Sequence, residues 1–314
     1  MEFYTGWSHS DAYFTNYFPN CPILISAVPD NRGTIKRFKQ KPKKLILDCG
    51  SVMYVKQKNR PKLKDIFDLQ VSLLQDCNPD TEITLVHFDE PMLHKTDLSE
   101  KYAAMERTLF NAYEYLRLFE SSGLIKDANP MGVIQGYDQA SIKFSAHELI
   151  KIGYRKFGIG SLLAKHYTTQ IDMIQYAADI VGPSNLHVFG VTGIQQMNAM
   201  VDIGVASFDS TRPTMAAAFF QVFYSRPFRT YYLSASHAKI TSTNRLNSPL
   251  PCDCPVCKVN PNDLFIPSPR DYMRLRSIHN YFHLQVEFND ILEEKRGALD
   301  AVSNVLWTGD TNDL

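Results

Sequence analysis

The stretch GVIQGYDQASIKFSAHELIKIGYRKFGIGS, residues 132–161, holds the pattern that decides the fold. It opens on a short apolar run, GVIQG, and closes on another, FGIGS, each bounded by glycine as a buried strand is. Between them QASIKFSAHELIKIG reads as a helix that stops at Gly153. Strand, helix, strand at this spacing is the unit of a parallel sheet joined by crossovers.

The unit recurs in both directions. Upstream lie PILISA (22–27), KLILD (44–48) and ITLVHFD (83–89); downstream lie LHVFGV (186–191) and ASFDS (206–210). LKDIFDLQVSLLQDC, SEKYAAMERTLFNAYEYLRLFE, TQIDMIQYAADIVG and GIQQMNAMVDIG supply the helical segments. That makes seven strands, and RTYYLSA (229–235) is the expected eighth. Eight strands close an α/β (β/α)8 barrel, the TIM-barrel fold. An open doubly wound sheet would want a glycine-rich phosphate loop after an early strand, and LDCGSV is not one. The first thirty residues read as a lid or cap. The whole chain, 1–314, reads as a single β/α-barrel domain, with a cysteine-bearing subdomain over 236–285 inserted after the last strand and a closing helix near Tyr281 to Leu292.

Composition narrows the function classes. The 314 residues are 44% hydrophobic, and 33 basic side chains balance 33 acidic ones, so no global field pulls the protein toward nucleic acid. No apolar run reaches membrane-span length, and the start MEFYTGWSHSDAYF lacks the basic and apolar regions of a signal peptide. No membrane partner and a cytoplasmic location are expected, in the host cytoplasm if the chain is viral.

In a β/α barrel the chemistry sits at the C-terminal strand ends. Here those ends carry Asp48, Asp89, Gln135 with Gly136, Gly160 with Ser161, Phe189 with Gly190, and Asp209. A single polar residue at a strand end is usually a turn residue; three aspartates converging on one mouth are harder to dismiss. Several carboxylates can bind a divalent cation, divide acid and base roles, or pair a nucleophile with a proton shuttle. Gln135 adds a donor and an acceptor on one plane, which suits the edge of a heterocyclic base. An unrelated metal hydrolase ranks last, because it would want histidines at these ends.

Three of the six cysteines fall in CDCPVC, residues 252–257. Cys252, Cys254 and Cys257 have the spacing of thiolates that fold onto one tetrahedral ion, zinc above all. A closed structural site needs a fourth ligand, and His279 and His283 share a helix face in SIHNYFHL.

Together these motifs resemble the tRNA-guanine transglycosylases from about Pro22 to Leu292. Cys-x-Cys-x2-Cys followed by His279-Asn280 matches that family's zinc motif and favours His279 as the fourth ligand. Asp48-Cys49-Gly50-Ser51-Val52, Phe88-Asp89-Glu90, Ile134-Gln135-Gly136, Ile159-Gly160-Ser161-Leu162, Phe189-Gly190-Val191-Thr192 and Phe208-Asp209 follow its barrel motifs in order. The resemblance implies Asp209 as a nucleophile toward C1′ of a nucleotide and Asp48 as proton carrier. It implies Asp89, Gln135, Gly136, Gly160, Ser161, Phe189 and Gly190 around the base, a structural zinc ion on the Cys3His set, and a homodimer through the zinc region.

There are departures. Val52 stands where the family has a stacking aromatic, and Phe189 where it tends to have Met, which suggests that stacking has changed sides. The segment after the nucleophile, STRPTMAAAFF, keeps one basic residue, Arg212, and the chain is short for the family. These features are most like the DNA-guanine transglycosylase branch, which inserts 7-deazaguanines such as 7-cyano-7-deazaguanine into DNA. The expectation is therefore guanine exchange in DNA. The same exchange on tRNA, or a non-catalytic nucleic-acid-binding subunit, are the alternatives, and a helper protein to open a duplex is left open. Arg212, Arg226, Arg229, Lys239 and Arg245 are the expected phosphate contacts, whereas TIKRFKQKPKK (34–44) precedes a strand and belongs to the far rim.

Overall fold

The computed structural model describes residues 1–233 and 244–307, except 56, 58, 94, 164 and 192. Thr192, Lys239 and the end of RTYYLSA lie outside the described residues. The chain falls into two compact units, residues 1–192 with 203–211, and residues 193–202 with 212–314.

In the first unit eight strands close into a parallel barrel in sequence order. They are β1 (Glu2–Trp7), β2 (Ile23–Ser26), β3 (Lys44–Asp48), β4 (Glu82–Val86), β5 (Asn129–Ile134), β6 (Lys156–Ile159), β7 (Leu186–Val188) and β8 (Ser207–Ser210). The (β/α)8 expectation holds, but its roster is corrected. The first strand is EFYTGW, which pairs with β2 (Thr5↔Ile23) and with β8 (Tyr4↔Asp209), so these residues are wall and not lid. RTYYL is no barrel strand: it turns back antiparallel on residues 221–224, because the intervening SRPF is a turn too short for a crossover.

The early crossovers hold only 3-10 turns, at Phe14–Asn16, Pro29–Asn31 and Ile35–Arg37. Their hydrophobic cover is aromatic: Trp7 lies 4.8 Å from Phe38 and 5.5 Å from Tyr13, ring to ring, and donates Nε1–H to Ala12 O at 2.9 Å. Later crossovers carry α1 (Ser51–Tyr54), α2 (Leu63–Leu74), α3 (Leu98–Ser121), α4 (Gln139–Ile152), α5 (Tyr167–Val181) and α6 (Ile194–Ile203). Helix α4 shows why: Asp138 caps it by accepting from Ser141 N at 2.8 Å, Ile142, Ala146 and Leu149 recur at helical spacing on its buried face, and Gly153 at φ 124° ends it.

Side chains alternate across each strand. Tyr4, Leu24, Ile46, Val86, Met131 and Val133 pack together in one buried cluster, with Phe189 against it. Two residues on from Ile46 and Val133 come Asp48 and Gln135. The polar mouth thus continues the apolar interior by the same period of two.

The second unit takes in nearly all of α6, together with α7 (Arg212–Ala218), β9 (Gln221–Tyr224), β10 (Arg229–Leu233), β11 (Arg245–Leu246) and the long α8 (Arg270–Trp307). Asn280 ties it together: its Oδ1 accepts from Phe223 N at 2.9 Å and its Nδ2 donates to Pro213 O and Gln221 O. Arg276, 1% exposed, donates to the carbonyls of Ala217, Leu264 and Ile266 and lies 4.3 Å from the Phe220 ring. No described helix is long and apolar enough to cross a membrane.

Candidate active site

A cavity of about 200 Å³ opens at the C-terminal end of the barrel, lined by Asp48, Asp89, Gln135, Gly160, Ser161, Phe189, Gly190 and Asp209. Val52, Met53 and Leu163 form an exposed apolar collar around its mouth. Of the residues singled out for the barrel site, Gly136 alone is not in the lining; a Cβ there would lie 2.5 Å from Ile142 Cγ1 of α4, so its role is close packing of that helix.

Asp48 ends β3. Its Oδ2 accepts from Gly50 N at 2.9 Å and from Ser26 Oγ at 3.1 Å. Burial pushes this carboxyl up from 3.8 to about 6, helped by the charge of Asp89 and more weakly by Asp209, and opposed by those two donors. Asp89 lies just past β4. Burial raises it too, against bonds from Ser51, Cys49 and Gln135. The Cys49 thiol donates to Asp89 Oδ1 at 3.2 Å, and burial keeps that thiol protonated. Two crowded carboxylates whose environments disfavour charge are suited to hold and release a proton. Behind them Gln70 of α2, fully buried, donates to Leu47 O and Val86 O, which fixes the ends of β3 and β4.

Gln135 donates Nε2–H to Asp89 Oδ2 at 2.5 Å, and its Oε1, buried, has no hydrogen-bond partner among the described residues. Such an orphaned acceptor beside a cavity calls for a ligand donor. Gly160 makes the arrangement possible, since a Cβ there would meet Gln135 Nε2 at 2.8 Å. Gly160 N–H is already committed to Ile134 O. Ser161 follows in the left-handed region at φ 58°, and its Oγ accepts from Met92 N at 2.8 Å, linking the loops after β4 and β6.

Across the cavity, Asp209 Oδ1 accepts from Gly190 N at 2.9 Å and lies 3.3 Å from His187 Nε2. Phe189 owes its place to Gly158, where a Cβ would lie 2.3 Å from the ring. His187 was not singled out in the sequence, although it sits two positions before Phe189 and so shares its face. His87 is unrelated to the cavity: it packs against Tyr115 and Tyr154, and burial lowers it to about 3.

In the second unit Cys252, Cys254, Cys257 and His279 bring four donor atoms within 4.8 Å of one another. His279 Nε2 donates to Phe223 O at 2.9 Å, which turns the lone pair of Nδ1 toward the three sulfurs, 3.3 to 3.7 Å away. Backbone N–H groups of Cys254 and Cys257 point at Cys252 Sγ and Cys254 Sγ. This donor set could hold a metal ion, and its softness suits zinc. His283 stands beside it: its Nδ1 accepts from Ser225 N at 3.1 Å, so Nε2 carries a proton toward Cys252 Sγ at 3.2 Å. Among the expected phosphate contacts, Arg212 is instead seated over the Phe223 and Phe228 rings, and Arg226 makes a two-point pair with Asp290 at 2.8 Å.

The family model described as Queuine tRNA-ribosyltransferase matches residues 70–298. A DNA-guanine transglycosylase from Salmonella montevideo is 20% identical over 205 residues, which cover 64% of this chain and 46% of that protein. The chain therefore spans about half the length of this curated relative.

Proposed function

The chain belongs to the queuine tRNA-ribosyltransferase family, and from that premise we propose that it is a guanine transglycosylase that exchanges guanine in DNA for a 7-deazaguanine. The observation that carries this reading is the convergence of Asp48, Asp89, Gln135 and Asp209 on one base-sized cavity. An oxygen of Asp209 attacks C1′ of the target nucleotide. The C1′–N9 bond breaks, its electron pair leaves with guanine, and a C1′–O ester forms. Asp48, poised near 6, gives a proton to the departing base. The incoming 7-deazaguanine then loses its N9 proton to Asp48, and N9 displaces the Asp209 carboxylate from C1′. Every atom and proton is accounted for across the two halves.

The free Gln135 Oε1 and the Asp89 carboxylate form an acceptor-rich edge, matched to the adjacent N1–H and amino donors of a guanine-type base. Phe189 and the Val52, Met53 and Leu163 collar give it apolar faces, and the target nucleotide must leave its stack to reach them. A zinc ion on Cys252, Cys254, Cys257 and His279 supplies a closed structural knot and takes no part in the exchange. Of the subdomain expected over 236–285, residues 236–243 lie outside the described residues; on this reading the remainder serves a single catalytic domain.

DNA is favoured over tRNA by the relative's activity and by the segment after Asp209, which folds as α7 and commits its basic residue to two rings. One experiment tests the whole reading. Labelled guanine or 7-deazaguanine is incubated with the protein and either DNA or tRNA, and covalent adducts are resolved on denaturing gels. Incorporation into DNA, with an adduct that Asp209→Ala abolishes, is expected. Incorporation into tRNA alone moves the substrate; no incorporation into either refutes the exchange.

A further inference from the structure

His187 lies in β7, 1% exposed, with its register partner Ser207 in β8. Its Nδ1 is 2.8 Å from Ser207 Oγ and its Nε2 is 3.3 Å from Asp209 Oδ1. The ring is fixed by two edge-on aromatic neighbours, Tyr4 at 5.9 Å and Phe189 at 4.6 Å. A carboxylate can only accept, so the Asp209 contact requires hydrogen on Nε2; Nδ1 then accepts from the Ser207 hydroxyl. Gly190 N–H reaches the same carboxylate oxygen.

Both donors therefore converge on Oδ1, and neither touches Oδ2. We propose that His187 is a positioning residue: with Gly190 N–H it anchors Oδ1 of Asp209 and so presents Oδ2 as the oxygen that attacks C1′. This rests on Asp209 being the nucleophile. Anchoring one oxygen fixes both torsions of the side chain, which is the positional control that nucleophilic attack demands. The hydrogen bond also disperses the charge that returns to the carboxylate when the second base displaces it.

Glutamine places an amide N–H where histidine has Nε2, and asparagine places one where histidine has Nδ1. The test compares His187→Gln, His187→Asn and His187→Leu in single-turnover adduct formation on the preferred nucleic acid, with equilibrium binding of free 7-deazaguanine measured alongside. Leu and Asn variants should form adduct about 100-fold more slowly, the usual effect of one lost donor. Gln should recover to within about tenfold of the parent, and base binding should change less than twofold. In the unliganded protein, ¹⁵N-histidine NMR should find His187 as the Nε2–H tautomer. Equal rates for Gln and Asn, an unaltered rate for Leu, or the Nδ1–H tautomer would overturn the assignment while leaving Asp209 in place. An adduct that survives in Asp209→Ala would overturn this assignment together with the reading beneath it.

Discussion

Replacing Asp48 with Asn should stabilise the protein at alkaline pH and do nothing of the kind in acid. The carboxyl is raised from 3.8 to about 6, chiefly by burial and then by the charge of Asp89. The sign follows directly. The native state holds this proton more tightly than the unfolded chain, so stability is greatest below the unfolded value and falls as pH climbs through the native one. About two pH units at about 1.4 kcal/mol each give a loss of about 3 kcal/mol in the parent between pH 4 and 8, which Asn does not undergo. Because Asp48 lines an open cavity, solvent screening trims this to about 2 kcal/mol. Urea denaturation of both proteins at pH 4.5, 6 and 8 measures it. Steric and hydrogen-bonding differences with Ser26 and Gly50 are independent of pH and cancel, as does acid release of a metal common to both. A stability difference that stays flat within about 0.5 kcal/mol from pH 4.5 to 8 would refute the argument that this acid is stored under electrostatic pressure. The same variant should lose base exchange.

Three further outcomes are expected. Phe189→Ala should weaken base binding about tenfold or more, and Val52→Ala, at a side chain 55% exposed, less than threefold; equal effects in titration calorimetry would place stacking elsewhere. The purified protein should carry one zinc ion per chain by atomic emission; Cys254→Ser and His279→Ala should lose it and lower Tm, whereas His283→Ala should retain it, since its proton only supports Cys252 Sγ. Arg276→Met should destabilise by about 3 kcal/mol or more in denaturant melts, because three buried carbonyls lose their donor together.

Seven barrel strands were legible because short, largely apolar runs alternate with longer helical segments along the chain. EFYTGW was not, because its aromatic, glycine-containing composition reads equally well as a loop, and only its partners β2 and β8 make it a strand. RTYYL misled for the converse reason: its β-propensity is real, but propensity carries no information on which sheet a strand joins. The three aspartates and Gln135 were readable from their position at strand ends and the three cysteines from their spacing, whereas the choice of His279 over His283 needed the family resemblance. His187 was not legible at a strand end, because the period of two carries the cavity-facing side of β7 one step deeper into the barrel, below Phe189. Gly158 and Gly160 disclose their purpose only once the ring and the amide they admit are seen beside them.

The pairing of Tyr4 with Asp209 has a bearing on how the molecule comes into being. The N-terminal strand gains its second barrel neighbour only from β8 (Ser207–Ser210), so the seam that completes the ring is the one that carries Asp209. On the exchange proposed above, Asp48 enters the chain well before Asp209, and the nucleophile cannot be aimed until the ring is shut.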